Sequence, residues 1–357
     1  MILDRRTQLL ESIRGQRAYL PDLRPIFAGW PGAYSENVNE YYELMIPIAN
    51  ARLDSVYEQG IKLSKLKRSD FALFAASWWP QADFTELKIM LYMSIWLFTW
   101  DDEIDEPGGS CTDDFDAAQA YRKNTIEWVS YCLGLWKGES APVPQNRIIE
   151  SFQEVGEAFR DVYSVAQRQR YYDEMIQFLA HSQVEQEIRL RVQIPGIDEY
   201  WAFRMGTSAV GIAVAAVEYA DQVRVGDLVM QSPSIRAIRD ETIIMISITN
   251  DLLSLKKEIS AGCIDSIVPI TYSRGSTLQQ AIDVATEALQ ASKNRFEIAA
   301  DRLKAEARLN EKAYQHVDAF VEANRKYCVG NLTWSLATGR YGMAGMSQDH
   351  GKIWLTL

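Results

Sequence analysis

Histidine is scarce in this sequence. The three residues present, His181, His316 and His350, are too scattered for a zinc site or a histidine triad. Cysteine is almost as rare: Cys111, Cys132, Cys263 and Cys328 lie far apart without metal-ligand spacing, so reduced thiols in a cytosolic protein are expected. No apolar run reaches the ~18 residues of a membrane span. Residues 1–16 are polar and mixed in charge, with no signal-peptide core, and a cytoplasmic location is the expectation. Positive charge is outnumbered, 37 Lys and Arg against 48 Asp and Glu, and the net −11 argues against a nucleic-acid partner. Period-2 alternation is sparse, and no Asn-Gly or Asp-Gly pair marks a hairpin.

What is abundant is apolar and helical in period. Hydrophobic residues make up 47% of the 357, enough for a large core. Residues 1–35, with Pro21, Pro25 and Pro31, read as an irregular entry, and 346–357 as a C-terminal tail. Between them, 36–345 reads as one helical domain without internal repeat or linker. A helix is expected from Ser35-Glu36 to about Glu58, and a short apolar block over 71–79 stops at Pro80. Asp83 or Thr85 then starts a helix that runs into an acidic block. Further helices are expected near 113–137, 145–165, 167–191 and 198–220, with Gly206 and Gly211 inside the last. Ser232-Pro233 is a strong start signal for a helix that Gly262 can end. Spans 277–304, 310–327 and a short 330–336 complete an all-α chain of ten or more helices.

Two stretches carry chemistry. The aromatic run 91–100 ends in Asp101-Asp102-Glu103-Ile104-Asp105-Glu106, and Pro107-Gly108-Gly109 follows. Carboxylates at a helix C-terminus oppose the macrodipole and repel one another. Such an end can be merely solvated, but its greasy approach favours a bound cation. Asp101 and Asp105 are i, i+4 on one face, with Asp102 beside them, and could share a hard divalent metal. The second stretch is 250–258. Asn250, Ser254 and Glu258 recur every four residues and drift by only about 80° over two turns. They offer an amide, a hydroxyl and a carboxylate oxygen along one stripe, suited to a second hard-cation site.

Together these residues identify a resemblance. Asp101-Asp102-Glu103-Ile104-Asp105 matches the DDxxD pattern of class I terpene synthases, and Asn250-Asp251 with Ser254 and Glu258 matches their NDxxSxxxE pattern. The fungal and bacterial sesquiterpene cyclases are the most similar branch. Arg204, 46 residues before Asn250, stands where that family has a diphosphate-sensing arginine, and Arg340-Tyr341 matches its arginine–tyrosine pair. The resemblance spans roughly 70–341.

The resemblance implies a helical bundle around a deep apolar pocket with both motifs at its mouth. It implies three Mg²⁺ ions, for which Mn²⁺ could substitute: Asp101 with Asp105 would hold two, and Asn250, Ser254 and Glu258 the third. Arg204, Lys257, Arg340 and Tyr341 would donate to diphosphate oxygens, and Asp102 would pair with an arginine. Asp101, Asp102, Arg204, Arg340 and Tyr341 are the catalytic candidates. Phe74, Phe98 and Trp334 stand where related cyclases carry pocket aromatics, whereas Trp78, Trp96, Trp100 and Phe203 read as packing. Thr207 and Ser208 fall where the family breaks a helix after the sensor arginine; small-residue packing explains them equally well. The implied activity is ionisation of farnesyl diphosphate and cyclisation of the cation, ended by deprotonation or water capture, with a homodimer allowed. Geranyl or geranylgeranyl diphosphate is the alternative substrate. A non-catalytic isoprenoid-binding protein is disfavoured by the intact motifs, and a chain-elongating prenyltransferase by the lack of a second aspartate-rich motif at 250–254.

Overall fold

The computed structural model describes residues 4–32, 38–308, 311–344, 348–349 and 352–357. Its centre is the helix Pro233–Ala261, 29 residues long. Ser232 caps it, its side chain accepting from Ile235 N at 3.2 Å, and Pro233 occupies the first turn. Gly262 ends it at φ 84°, a left-handed position where glycine carries no Cβ penalty. Ile243, Met245, Ile246, Ile248, Leu252, Leu253 and Leu255 are all buried, so this helix is apolar nearly all round and has neighbours on every side. Leu278–Ala307 and Glu311–Ala337 pack along it. Val165–Leu190 pairs with Ile197–Thr207, and Phe71–Trp78 wedges between Glu311–Ala337 and Phe84–Asp101. No described helix is long and apolar enough to cross a membrane.

Most expected helices are present, with instructive differences. The first main helix runs Tyr42–Val56, while Ser35 and Glu36, its expected start, lie outside the described residues. The 145–165 pattern is two pieces, Arg147–Glu150 and Gln153–Val162, with Phe152 between them fully buried against Trp96. The 198–220 pattern breaks after Thr207, where Ala209 takes a left-handed φ of 58°, and resumes as Val210–Ala215 and Val217–Ala220. The two expected helices over 310–336 are a single helix, Glu311–Ala337. Gly330 lies inside it for packing: a Cβ there would meet Ser77 O at 2.4 Å.

The irregular entry and the tail need correcting. Asp4 caps a helix, Arg5–Ile13, by accepting from Thr7 N. Strand Arg17–Pro21 then pairs antiparallel with Lys352–Thr356, which also pairs with Gln348–Asp349. This three-stranded sheet joins the two ends of the chain. Its strands have at most five residues, too short for a visible alternation, and its main pairing is between remote segments, so no local turn announces it.

Candidate active site

The helix Phe84–Asp101 delivers its acidic end to the mouth of one large cavity of about 220 Å³. The carboxylates there do not repel freely, because most have separate cationic partners. Asp102 takes Arg340 in a two-pronged contact, Nη2 to Oδ1 at 2.6 Å and Nη1 to Oδ2 at 3.4 Å. Glu103 takes Lys62 and Ser110 N; Glu106 takes Lys257 and lies 3.7 Å from Arg340. Asp105 is 4.0 Å from Arg189. Among the described residues Asp101 is the member of this block with no ion pair. Burial holds its carboxyl well above the usual range, and Asp105 and Asp102 push the same way. Burial also pushes Asp105 up to about 6, against the pull of Arg189.

Opposite stands the stripe on Pro233–Ala261. Asn250 Oδ1 accepts from Arg204 Nη2 at 2.8 Å, and its Nδ2 donates to the Tyr341 hydroxyl at 2.7 Å. Ser254 Oγ donates to Glu258 Oε1 at 2.5 Å, while Glu258 Oε2 is enclosed with no partner among the described residues. Burial raises the Glu258 carboxyl, helped by Asp251. Ser254 does not itself line the cavity and reaches it through Glu258. Asp251 is consumed by structure: it accepts from Arg204, from the Tyr200 hydroxyl at 2.6 Å and from Ile267 N at 2.8 Å.

Arg204, Lys257, Arg340 and Tyr341 all line the same mouth. Burial pulls the Arg340 guanidinium down, but Asp102 more than offsets it and the group stays firmly charged. That guanidinium also sits 5.3 Å from the centre of the Phe98 ring. Below, Phe74, Phe98 and Trp334 form a mutual cluster with ring centres 5.1–5.4 Å apart. Trp334 is oriented by its Nε1 donating to Ser69 O at 2.8 Å. Thr207 and Ser208, at the helix break, also line the wall. Trp78, expected as packing, lines the cavity too and stacks on Phe74 at 4.7 Å, whereas Trp96, Trp100 and Phe203 do not line it.

Several lining residues carried no sequence signal: Glu185, Asp265, Ser247 and Asn331. Burial, then Asp105, raises the Glu185 carboxyl well above its ordinary value. Asp265 pairs with Arg6 of the N-terminal helix, Nη1 to Oδ1 at 2.7 Å. These residues come from elements brought together only by packing, and no single helix face displays them as a pattern.

The donors at the mouth fit a hard divalent cation. They are all oxygen (carboxylate, amide, hydroxyl); Glu258 Oε2 is enclosed without a partner, and Asp101 has no ion pair among the described residues. No three His, Cys, Asp or Glu side chains among the described residues converge into a ready-made ion cage. The amide of Asn250 and hydroxyl of Ser254 would complete such a donor set.

Comparison with known proteins agrees with this arrangement. A family model described as terpene synthase family 2, C-terminal metal binding, matches residues 92–295. The chain is 33% identical to sesquiterpene cyclase hepA of Aspergillus oryzae, covering 99% of this chain and 97% of that protein. It is 30% identical to silphinene synthase peniA of Penicillium patulum, covering 92% and 87%. The crystal structure of α-eudesmol synthase superposes with a TM-score of 0.73 at 22% identity, covering 85% of this chain and 96% of that one. The chain therefore belongs to the terpene synthase family, and it is a class I terpene synthase.

Proposed function

We propose that this enzyme ionises farnesyl diphosphate with Mg²⁺ and cyclises the resulting allylic cation. The observation that supports the reading is the convergence on one cavity mouth of Asp101, the Asn250–Glu258 stripe and the side chains of Arg204, Lys257, Arg340 and Tyr341, beside an aromatic wall. Two relatives matched over nearly their full length, named a sesquiterpene cyclase and a silphinene synthase, support the fifteen-carbon substrate.

Asp101 with Asp105, and Asn250, Ser254 and Glu258, would hold the ions. Bound there, Mg²⁺ would neutralise diphosphate oxygens and so ease cleavage of the C–O bond. Arg204, Lys257 and Arg340 add fixed positive charge to the same oxygens, and the Tyr341 hydroxyl adds a neutral donor. The fork of Arg340 matches phosphate oxygens as well as the carboxylate of Asp102 it now holds. No protein nucleophile is required. The released cation needs a dry wall with negative faces, and Phe74, Phe98 and Trp334 supply it through their ring quadrupoles, each worth about 0.5–2 kcal/mol. Work in the cytoplasm, where Mg²⁺ and prenyl diphosphates are available, completes the proposal.

The test is incubation of the purified protein with Mg²⁺ and geranyl, farnesyl or geranylgeranyl diphosphate, reading diphosphate release and products by gas chromatography–mass spectrometry. Fifteen-carbon cyclic products from farnesyl diphosphate are expected. Preference for another chain length would overturn the substrate assignment, and binding without diphosphate release from any of the three would overturn catalysis.

A further inference from the structure

The carboxylate block at the mouth is gripped from two sides in two different ways. On one side cations meet carboxylates: Lys62 holds Glu103, Arg340 holds Asp102 and Lys257 holds Glu106. On the other side the contacts go to backbone carbonyls. Arg189 Nη2 donates to Ile104 O at 2.8 Å and to Thr112 O at 3.1 Å. Gln186 Nε2 donates to Cys111 O at 2.9 Å and to Thr112 O at 3.3 Å. Arg189 stops 4.0 Å short of Asp105 Oδ1, outside hydrogen-bond range. Both side chains come from Val165–Leu190, spaced i, i+3 and so on one face of that helix. The loop they hold is closed on itself: Cys111 N donates to Glu103 O at 2.9 Å and Thr112 Oγ1 to Glu106 O at 2.7 Å. It carries Asp105 and follows directly from Asp101.

Behind this grip stands Arg122 on the helix Phe115–Cys132. It is 4% exposed, and no other arginine or lysine among the described residues is so deeply buried. Its guanidinium donates only to neutral oxygens: Ser182 Oγ and O, both at 3.0 Å, Gln186 Oε1 at 2.8 Å and Gln119 Oε1 at 3.0 Å. The bond to Gln186 also orients that amide, because with Oε1 facing Arg122 the Nε2 faces the loop. An enclosed charge without an ionic partner is costly, and a well-packed apolar side chain would fill the same space at lower cost. Burial pulls the Arg122 guanidinium down to about 10, and the charge that most opposes this is Asp105. The positive charges of Arg122 and Arg189 thus act on the acidic loop, yet neither guanidinium takes up an Asp105 oxygen.

We propose that Gln186 and Arg189, with Arg122 behind them, are positioning residues that set Asp105 in register with Asp101 before the cation arrives. The inference rests on the proposed cation site at Asp101 and Asp105, and it names residues outside that site. Holding carbonyls in place of carboxylates fixes the loop and offsets its negative charge, while the Asp105 oxygens stay open to Mg²⁺. It also puts positive charge at the C-terminal end of Phe84–Asp101, where the helix macrodipole favours it.

The experiment is titration of the metal-free protein with Mn²⁺ in the presence of inorganic diphosphate, following free Mn²⁺ by electron paramagnetic resonance. The wild type is compared with Gln186→Glu and Arg189→Met. Gln186→Glu keeps an acceptor for Arg122, and gives it an ion pair, but removes the donor to Cys111 O and Thr112 O. Arg189→Met removes two carbonyl contacts from a side chain that is 21% exposed, so the fold is expected to survive. Each substitution makes the mouth more negative, and charge alone would then tighten Mn²⁺ binding. Loss of positioning weakens it, and the dissociation constant is expected to rise about 10–100-fold in each variant. Urea unfolding of the same samples is the control, because a merely structural role would lower the midpoint and leave the affinity of the folded protein unchanged. Unchanged or tighter Mn²⁺ binding in either folded variant overturns the inference while leaving the proposed function standing. Absence of Mn²⁺ binding by the wild type with diphosphate overturns the proposed cation site and this inference with it.

Discussion

At the scale of single residues, the mouth matches most of its carboxylates with separate cations and leaves Asp101 beside Asp102 and Asp105 without one. Asp102 is 5% exposed and matched by Arg340, itself largely enclosed. Arg340→Lys keeps the charge but loses the fork; we expect kcat to fall about 10–100-fold with a smaller change in KM, measured by steady-state diphosphate release. Equal kcat in the variant would remove Arg340 from the catalytic set. Asp221 shows a different use of burial. Its carboxyl, pushed up to about 6 by burial, accepts from the Tyr327 hydroxyl at 2.8 Å. The folded form thus binds this proton more tightly than the unfolded chain does. That contribution to stability is present in full below the unfolded carboxyl value of 3.8 and is lost as pH rises through about 6. Asp221→Asn keeps an acceptor for Tyr327 without the charge, and should raise stability at pH 7 by about 1–3 kcal/mol and flatten its pH dependence between about 4 and 6. Urea unfolding at pH 4, 6 and 7 checks it, and an unchanged pH slope would refute it.

At the scale of elements, helix boundaries decide where the chemistry sits. The 233–261 helix was legible down to its caps, since Ser232, Pro233 and Gly262 act locally. Its i, i+4, i+8 stripe was legible for the same reason, because helical geometry alone lines up Asn250, Ser254 and Glu258. Gly330 was misread as a boundary between two helices. Its role is set by a neighbour that no local pattern reveals, the backbone of Ser77 pressed against it. Gly330→Ala would gain helix propensity but would drive a methyl group to 2.4 Å from Ser77 O. A net loss of about 1–3 kcal/mol is expected, read as a lower urea midpoint. A stabilised variant would show that the Phe71–Trp78 helix can yield.

At the scale of the whole molecule, the two chain ends close over one side of the bundle. Strand Lys352–Thr356 lies against Arg17–Pro21, and Arg6 on the preceding helix reaches Asp265 in the cavity wall. The Asp265 side chain is only 4% exposed, so removing its partner would leave a buried charge. Arg6→Ala should therefore cost about 3 kcal/mol in chemical unfolding. It should also raise KM for the prenyl diphosphate, because the wall segment that follows Glu258 loses its anchor. A variant with unchanged stability and KM would make the terminal segment a bystander.

The helical class and the alignment of Asn250, Ser254 and Glu258 on one stripe were legible in the sequence alone, because helix periodicity and capping are local properties of neighbouring residues, whereas the motif match and the diphosphate roles expected of Arg204, Lys257, Arg340 and Tyr341 came from the family resemblance. Tertiary packing alone sets which carboxylates are matched by cations, that Trp78, Glu185 and Asp265 share the cavity, and that the terminal segments form a sheet. Each of these depends on segments remote in the chain meeting at a packed interface, and their relative depth and rotation are set by side-chain volumes across the whole core rather than by any one stretch.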